Sequence, residues 1–205
     1  MRELILAMSM SLDGFVAGPE GDIQWVFSGD QEAMAWKVEK ISSAGLHIMG
    51  SRSFRDMAAF WPTATGVFAP PMNQIPKAVF SKQGPAILMA AATAGSTPAG
   101  NAPAGQLQAG AESWAQAYVA GGDLAGEIGR LKAQGGKPIV AHGGAAFARS
   151  LIALNLVDEY ALMIHPIALG RGLPIFADLP APRPLELIGS KTFPRGTVAQ
   201  VYRPA

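Results

Sequence analysis

The sequence predicts an α/β fold built on a mixed β-sheet. Three observations carry this: strand and helix patterns alternate through most of the chain, two strands end in glycine turns that open helices, and the C-terminus reads as a hairpin. At 205 residues the chain suits a single domain, 1–205, with a substantial core.

The elements follow in order. Residues 3–10 (ELILAMSM) read as a buried strand, and the Asp-Gly of LDGF after it signals a tight turn. GPEGD at 18–22 is a second loop. Asp30 is placed to cap a helix over 31–43, with Ala33, Met34, Val38 and Ile41 on one face and Gly45 as its stop. LHIMG (46–50) is a short strand, and SRSFRDMAAF (51–60) opens a helix directly behind its glycine. KAVFSK (77–82) is a further strand, entered through Pro76.

Residues 84–112 change character. They are mostly Ala, Gly and Pro without periodicity, and read as a flexible surface insertion. Order returns with a partial strand in 113–121 and a helix over 123–134 capped by Asp123. Gly126 and Gly129 weaken that helix by roughly 1 kcal/mol each relative to alanine, so tertiary packing must hold it. A strand at 138–142, the pair Gly143–Gly144, a helix over 145–154 and a strand within 157–169 follow, before the C-terminal antiparallel pair.

Composition excludes several classes. A net charge of +1 provides no basic field for nucleic acid and no polybasic membrane patch, so any anion must be gripped locally. The chain has no cysteine, which removes disulfides and thiolate metal sites and fits a reducing, cytoplasmic setting. The N-terminus has too short an apolar run and too early an acid for a secretory signal, and no run is long enough for a membrane span. His47, His142 and His165 are scattered without paired metal-ligand spacing, so no metal site is expected; each reads as packed or exposed, with His142 beside the glycines able to touch a ligand.

The two glycine turns are the candidate chemistry. In IMGSRSF and in IVAHGGAAF a strand ends at glycine and a helix begins. Each helix start presents unpaired backbone N–H groups and partial positive charge, and glycine lets a ligand approach the backbone. Either turn alone is equally a plain strand-to-helix connection. Neither matches G-x-G-x-x-G or G-x-x-x-x-G-K-[ST], so the Rossmann and P-loop templates fail.

SMSLDGFVAG, HIMGSRSF, PKAVFSK and VAHGGAAFARSLIALNLVDEYALMIHPIALGRGLPIF occur in one order. Together they resemble the dihydrofolate-reductase-like superfamily, and within it the reductase (RibD C-terminal) domain of bacterial riboflavin biosynthesis. The resemblance implies a three-layer α/β/α fold with a central mixed sheet and a C-terminal antiparallel hairpin. It also implies a homodimer that binds NADPH and transfers hydride to a heterocyclic or carbonyl substrate.

By this resemblance Gly143, Gly144, Ala145, Ala146 and Phe147 lie against the pyrophosphate and nicotinamide side of the cofactor. Gly50, Ser51, Arg52 and Ser53 match the helix start that holds the adenosine phosphates, and Ser81 and Lys82 lie near the 2′-phosphate. The family's arginine follows its glycine directly, whereas here Ser51 stands there and Arg52 comes next. One residue turns a helical side chain by about 100°, which points Arg52 to the pyrophosphate and leaves Lys82 and the serines to read the 2′-phosphate. Ala7 and the Val16–Ala17 backbone are implied neighbours of the nicotinamide.

On the substrate side stand Asp13, Trp25 and Asp30. Asp13 either closes its own turn or meets substrate. Trp25 and Asp30 repeat the tryptophan–acid spacing of dihydrofolate reductases, so Asp30 is expected both as helix cap and as a catalytic carboxyl that helps deliver a proton beside the hydride. Asp158 and Glu159 match the family's acid pair and read as positioning a strand start. The substrate implied first is the ribosylaminouracil phosphate of riboflavin biosynthesis. Dihydrofolate is second, and a nucleotide-binding module without turnover is the reading of another class.

Overall fold

A computed structural model describes residues 1–27, 29–89 and 106–205. Its strands are β1 (Leu4–Ser11), β2 (Phe15–Ala17), β3 (Leu46–Gly50), β4 (Lys77–Phe80), β5 (Tyr118–Ala120), β6 (Ile139–His142), β7 (Glu159–His165), β8 (Leu173–Pro174), β9 (Leu185–Thr192) and β10 (Val198–Pro204). The helices are α1 (Gln31–Ser42), α2 (Ser51–Phe60), α3 (Ala69–Gln74), α4 (Leu124–Ala133) and α5 (Ala145–Ala153).

The main sheet runs β5-β4-β3-β6-β1-β7-β10-β9. Its first six strands are parallel, and β10 and β9 add an antiparallel edge, the mixed sheet expected from the hairpin-like C-terminus. Strands β2 and β8 form a small antiparallel pair apart from it.

Alternation along β1 sorts the core into two faces. Leu4, Leu6, Met8 and Met10 pack with Ile128 and Leu131 of α4 and with Ala148, Leu151 and Ile152 of α5. Ile5 and Ala7 point the other way, toward Ala44 and Trp36 at α1. On that same side Met49 and Val79 pack with Phe54 and Ala58 of α2 and Met72 of α3. Both faces of the central strands are covered, which is why their sequences read as continuous apolar runs. Each fully buried Leu or Ile contributes about 1.5–3 kcal/mol by leaving water.

The acid pair behaves as expected. Asp158 accepts from the Leu4 N–H at 2.7 Å and pairs with Lys132 at 2.6 Å, while Glu159 meets Lys40 at 2.9 Å. These bonds register the starts of β1 and β7 against α1 and α4.

The span 84–112, expected as a surface insertion, is packed against the core at both of its described ends. Ile87 is fully buried against Phe54, Met72 and Trp114, and Ala111 is buried at the start of a short 3-10 turn. Trp114 donates its indole N–H to Asn73 Oδ1 at 2.8 Å and locks that return into place. Isolated apolar residues in an Ala/Gly/Pro background show no period, so their burial is invisible until α2 and α3 supply a face. Residues 90–105, the remainder of the expected insertion, lie outside the described residues.

Candidate active site

Strands β6 and β1 are neighbours, yet their chains leave in opposite directions. The chain leaving β1 reaches α1 on one face of the sheet, and that leaving β6 reaches α5 on the other. A crevice opens at the carboxyl ends of two strands that part this way, the usual ligand position in open α/β sheets. Ala7 lies opposite His142 across this boundary. Ala7 and Ser9 are only partly covered although β1 is a central strand. The covering layer is open there.

The two glycine turns meet beside this crevice. A Cβ on Gly144 would lie 2.8 Å from Ser53 Oγ, and one on Gly50 would lie 3.1 Å from Phe147 Cβ. Gly143 and Gly144 take φ of +45° and +75°, values that L side chains rarely adopt. Helices α2 and α5 start at Gly50 and Gly144 with no side-chain cap and no acid in the first turn. By contrast α1 and α4 are capped by Asp30 and Asp123. The short α3 also lacks a side-chain cap, but its first turn carries prolines, which have no N–H to offer. The uncapped starts of α2 and α5 are the two where phosphates are expected, and their N–H groups suit an anion.

Around them Ser51 and Ser53 are partly covered and Arg52 is exposed. Ala145 is buried, Ala146 is exposed, and Phe147 packs on Phe80 at 5.1 Å between ring centroids. Ser81 is buried at the end of β4 and its hydroxyl accepts from the Gln83 N–H at 3.1 Å, with Lys82 exposed beside it. All of these stand at the same end of the parallel block. Val16 is the exception in kind: its side chain enters the core.

Asp13 bonds within its own turn, as one expectation had it, and also reaches across the chain. Its carboxylate accepts from Ser11 Oγ at 2.6 Å and from the Leu169 and Gly170 N–H groups at 3.0 and 2.7 Å. These bonds, the Ser11 hydroxyl first, hold its carboxyl down at about 2. Ser11 Oγ also accepts from the Phe15 N–H, so Asp13 ties the 11–15 turn to the loop after β7.

Asp30 caps α1 through Oδ1, which accepts from the Ala33 N–H at 3.2 Å. Its Oδ2 accepts from the Arg195 N–H at 2.9 Å, joining α1 to the β9–β10 turn. These backbone bonds, the one from Arg195 first, keep the carboxyl below its ordinary range. The cap is as expected, and both carboxylate oxygens are engaged by backbone N–H groups. Trp25 donates to the Asp22 carbonyl at 3.3 Å and sets its edge against His165, at 5.5 Å between centroids.

The family model for the RibD C-terminal domain matches residues 2–199, almost the whole chain. The chain belongs to the RibD C-terminal domain family. Among curated proteins, this RibD C-terminal domain is 27% identical over 201 residues to the uncharacterized protein YyaP of Bacillus subtilis (strain 168), covering 98% of this chain and 94% of that one. Among solved structures it resembles Acinetobacter baumannii RibD, with a TM-score of 0.67 at 15% identity, covering all of this chain and 58% of that one. It also resembles dihydrofolate reductase from Enterococcus faecalis complexed with NADP(H), with a TM-score of 0.59 at 12% identity, covering 98% and 96%. The fold is therefore the dihydrofolate-reductase-like α/β fold. No helix among the described residues is long and apolar enough to cross a membrane.

Several residues at the crevice of this RibD C-terminal domain escaped the sequence reading. Lys37 Nζ donates to Ser9 Oγ at 3.0 Å, directly over β1. Its position shares the stripe of buried Ala33 and Ile41 at four-residue spacing, the signal that marks it as inward-facing. Arg55 donates to Gln83 Oε1 at 2.8 Å and so stands at the Ser81–Gln83 loop, a cation beside the expected 2′-phosphate position. His47 and His142 touch edge to face at 4.4 Å between centroids. The three histidines are packed, as expected, and lie on the α1 face of the sheet. Among the described residues no cluster is able to hold a metal ion.

Proposed function

We propose that this RibD C-terminal domain is an NADPH-dependent reductase that transfers hydride to a heterocyclic substrate. The observation that carries the reading is the meeting of two uncapped helix starts, at Gly50 and Gly144, beside a crevice left open over Ala7 and Ser9. The N–H groups of both helix starts would hold the cofactor's phosphates, and Arg55 with Lys82 and Ser81 would meet the 2′-phosphate. The Ala7 and Val16–Ala17 backbone would border the nicotinamide, which supplies the hydride when bound. The chain's share is orientation, exclusion of water and a polar surface at the reacting atoms. By resemblance the working form is a cytoplasmic homodimer, which sedimentation of the purified protein checks.

The substrate proposed first is 5-amino-6-(5-phosphoribosylamino)uracil, after which a structurally similar deaminase/reductase from Thermotoga maritima is named. Dihydrofolate is the second reading. Its support was the Trp25/Asp30 spacing, and the capture of both Asp30 oxygens by backbone N–H groups weakens it.

NADPH fluorescence titration followed by an oxidation assay with each compound tests this. Saturable binding and turnover of the aminouracil uphold the proposal. Binding without turnover of either compound favours a nucleotide-binding module, and no binding rejects the cofactor assignment.

A further inference from the structure

The crevice floor carries a charge that nothing beside it balances. Lys37 is partly covered and its hydrogen-bond partner is a neutral hydroxyl, Ser9 Oγ. Among the described residues no carboxylate lies within ion-pair distance of it. An ammonium held in low dielectric without a counter-charge is unfavourable. Such a group is kept where a ligand completes it or where a proton must be given up.

Its surroundings point the same way. In parallel strands, residues opposite each other share a face, so His142 stands with Ala7 and His165 with Ser11 on the side that α1 covers. His142 and His165 are buried, and His142 Nε2 and both His165 ring nitrogens have no hydrogen-bond partner within the chain. Unpaired ring nitrogens in a buried position call for a partner from outside the chain. Burial lowers the pKa of both rings, that of His165 to about 4 and that of His142 well below its ordinary value, with His47 and Lys37 adding to the effect on His142 and Lys37 to that on His165. The groups that face Lys37 are therefore Ser9 from β1, neutral His142 from β6 and neutral His165 from β7. His47 lies behind His142 and is also held neutral by burial.

We propose that Lys37 Nζ, on the sheet face that also carries His142 and His165, receives a carbonyl oxygen of a cyclic amide or imide substrate and supplies the proton that accompanies hydride. The assignment rests on the reductase reading above. As the substrate's C=O or C=N carbon accepts hydride from the nicotinamide, a C–H bond forms and the π electrons move to the heteroatom. That atom takes a proton from Lys37. The amine would be left neutral and would regain its proton from water at the open mouth, the hydride having been supplied by the nicotinamide that the site would hold. Burial brings the Lys37 pKa down to about 8, near enough to neutrality for a general acid. Asp30, held ionised and bonded on both oxygens, has no such proton to give.

The test uses barbiturate, an anionic cyclic imide, as probe on the wild-type chain, Lys37→Met and Lys37→Arg. Trace acetic anhydride labelling read by mass spectrometry should show Lys37 titrating near 8, with labelling slowed at least tenfold by barbiturate. Barbiturate affinity should fall at least tenfold in Lys37→Met and largely return in Lys37→Arg, while NADPH affinity stays within twofold in both. Equal barbiturate affinity in Lys37→Met, no protection of Lys37, or no barbiturate binding to the wild-type chain overturns the assignment. Failure of the wild-type chain to bind NADPH overturns the reductase reading instead. If the aminouracil is turned over, Lys37→Met should lose the fall in single-turnover rate above pH 8. An unchanged rate and profile in that variant also overturns the assignment.

Discussion

Ser53 Oγ stands 2.8 Å from where a Cβ would project from Gly144, so the start of α2 and the start of α5 leave no room for a side chain between them. Gly144→Ala meets that contact and a positive φ together. Backbone strain of this kind costs about 1–3 kcal/mol, which urea denaturation would register. NADPH affinity should fall at least tenfold in the same variant. Adding Ser53→Ala should recover the part due to the hydroxyl and leave the part due to φ.

Asp13→Asn removes a carboxylate whose pKa lies near 2 in the folded chain, below its ordinary value near 4. The folded state binds this proton less readily than the unfolded state. Its contribution is therefore present above about pH 4 and lost as pH falls toward 2. Melting curves of wild type and variant should differ at pH 7 and converge across that window.

His47 has the opposite charge type and the same direction of effect. Burial lowers its pKa to about 4, so the unfolded chain takes up the proton first. Stability is retained above about pH 6.5 and declines as pH falls toward 4, below which both states are protonated. His47→Gln, which keeps a donor for the Ile41 carbonyl, should flatten this decline in Tm. His142 and His165 titrate in the same sense and should preserve part of it.

Asp30→Ala removes a helix cap and the tie to Arg195 in one step. Tm should drop by a few degrees, with Asp30→Asn less affected because its amide oxygen still caps. Hydride transfer in Asp30→Asn should stay within a few fold of wild type. A hundredfold loss with the fold intact would return the proton to Asp30 and take it from Lys37.

Arg55→Ala should lower NADPH affinity about tenfold and leave NADH affinity unchanged, because the guanidinium stands at the Ser81–Gln83 loop and meets only the extra phosphate. Equal losses for both cofactors would move Arg55 from reading the phosphate to holding the loop.

The parts of the site that depend on backbone shape were legible in the sequence. Gly143 and Gly144 advertise themselves as a glycine pair between a strand and a helix, with the positive φ that suits glycine, Gly50 because it ends a strand where a helix begins, and Asp30 and Asp123 because caps follow local rules. Lys37 and Arg55 were not legible, since a lysine or arginine on a helix reads as a solvated side chain until the opposing strand is in place. The inward stripe of α1 could have flagged Lys37, because Ala33, Lys37 and Ile41 recur at four-residue spacing. The further reach of Asp13 was not legible for a related reason. Its partners, Leu169 and Gly170, lie more than 150 residues away, and no local pattern carries that contact.

Every residue expected to touch the cofactor precedes residue 148, yet the segments that carry them are tethered from much later in the chain. Asp13 is moored at 169–170 and Asp30 at 195. The last quarter of the chain thus acts as a splint for a site assembled by the first three. A proteolytic nick in the turn around Arg195 should slacken α1, and with it Lys37, before it disturbs the glycine turns at all.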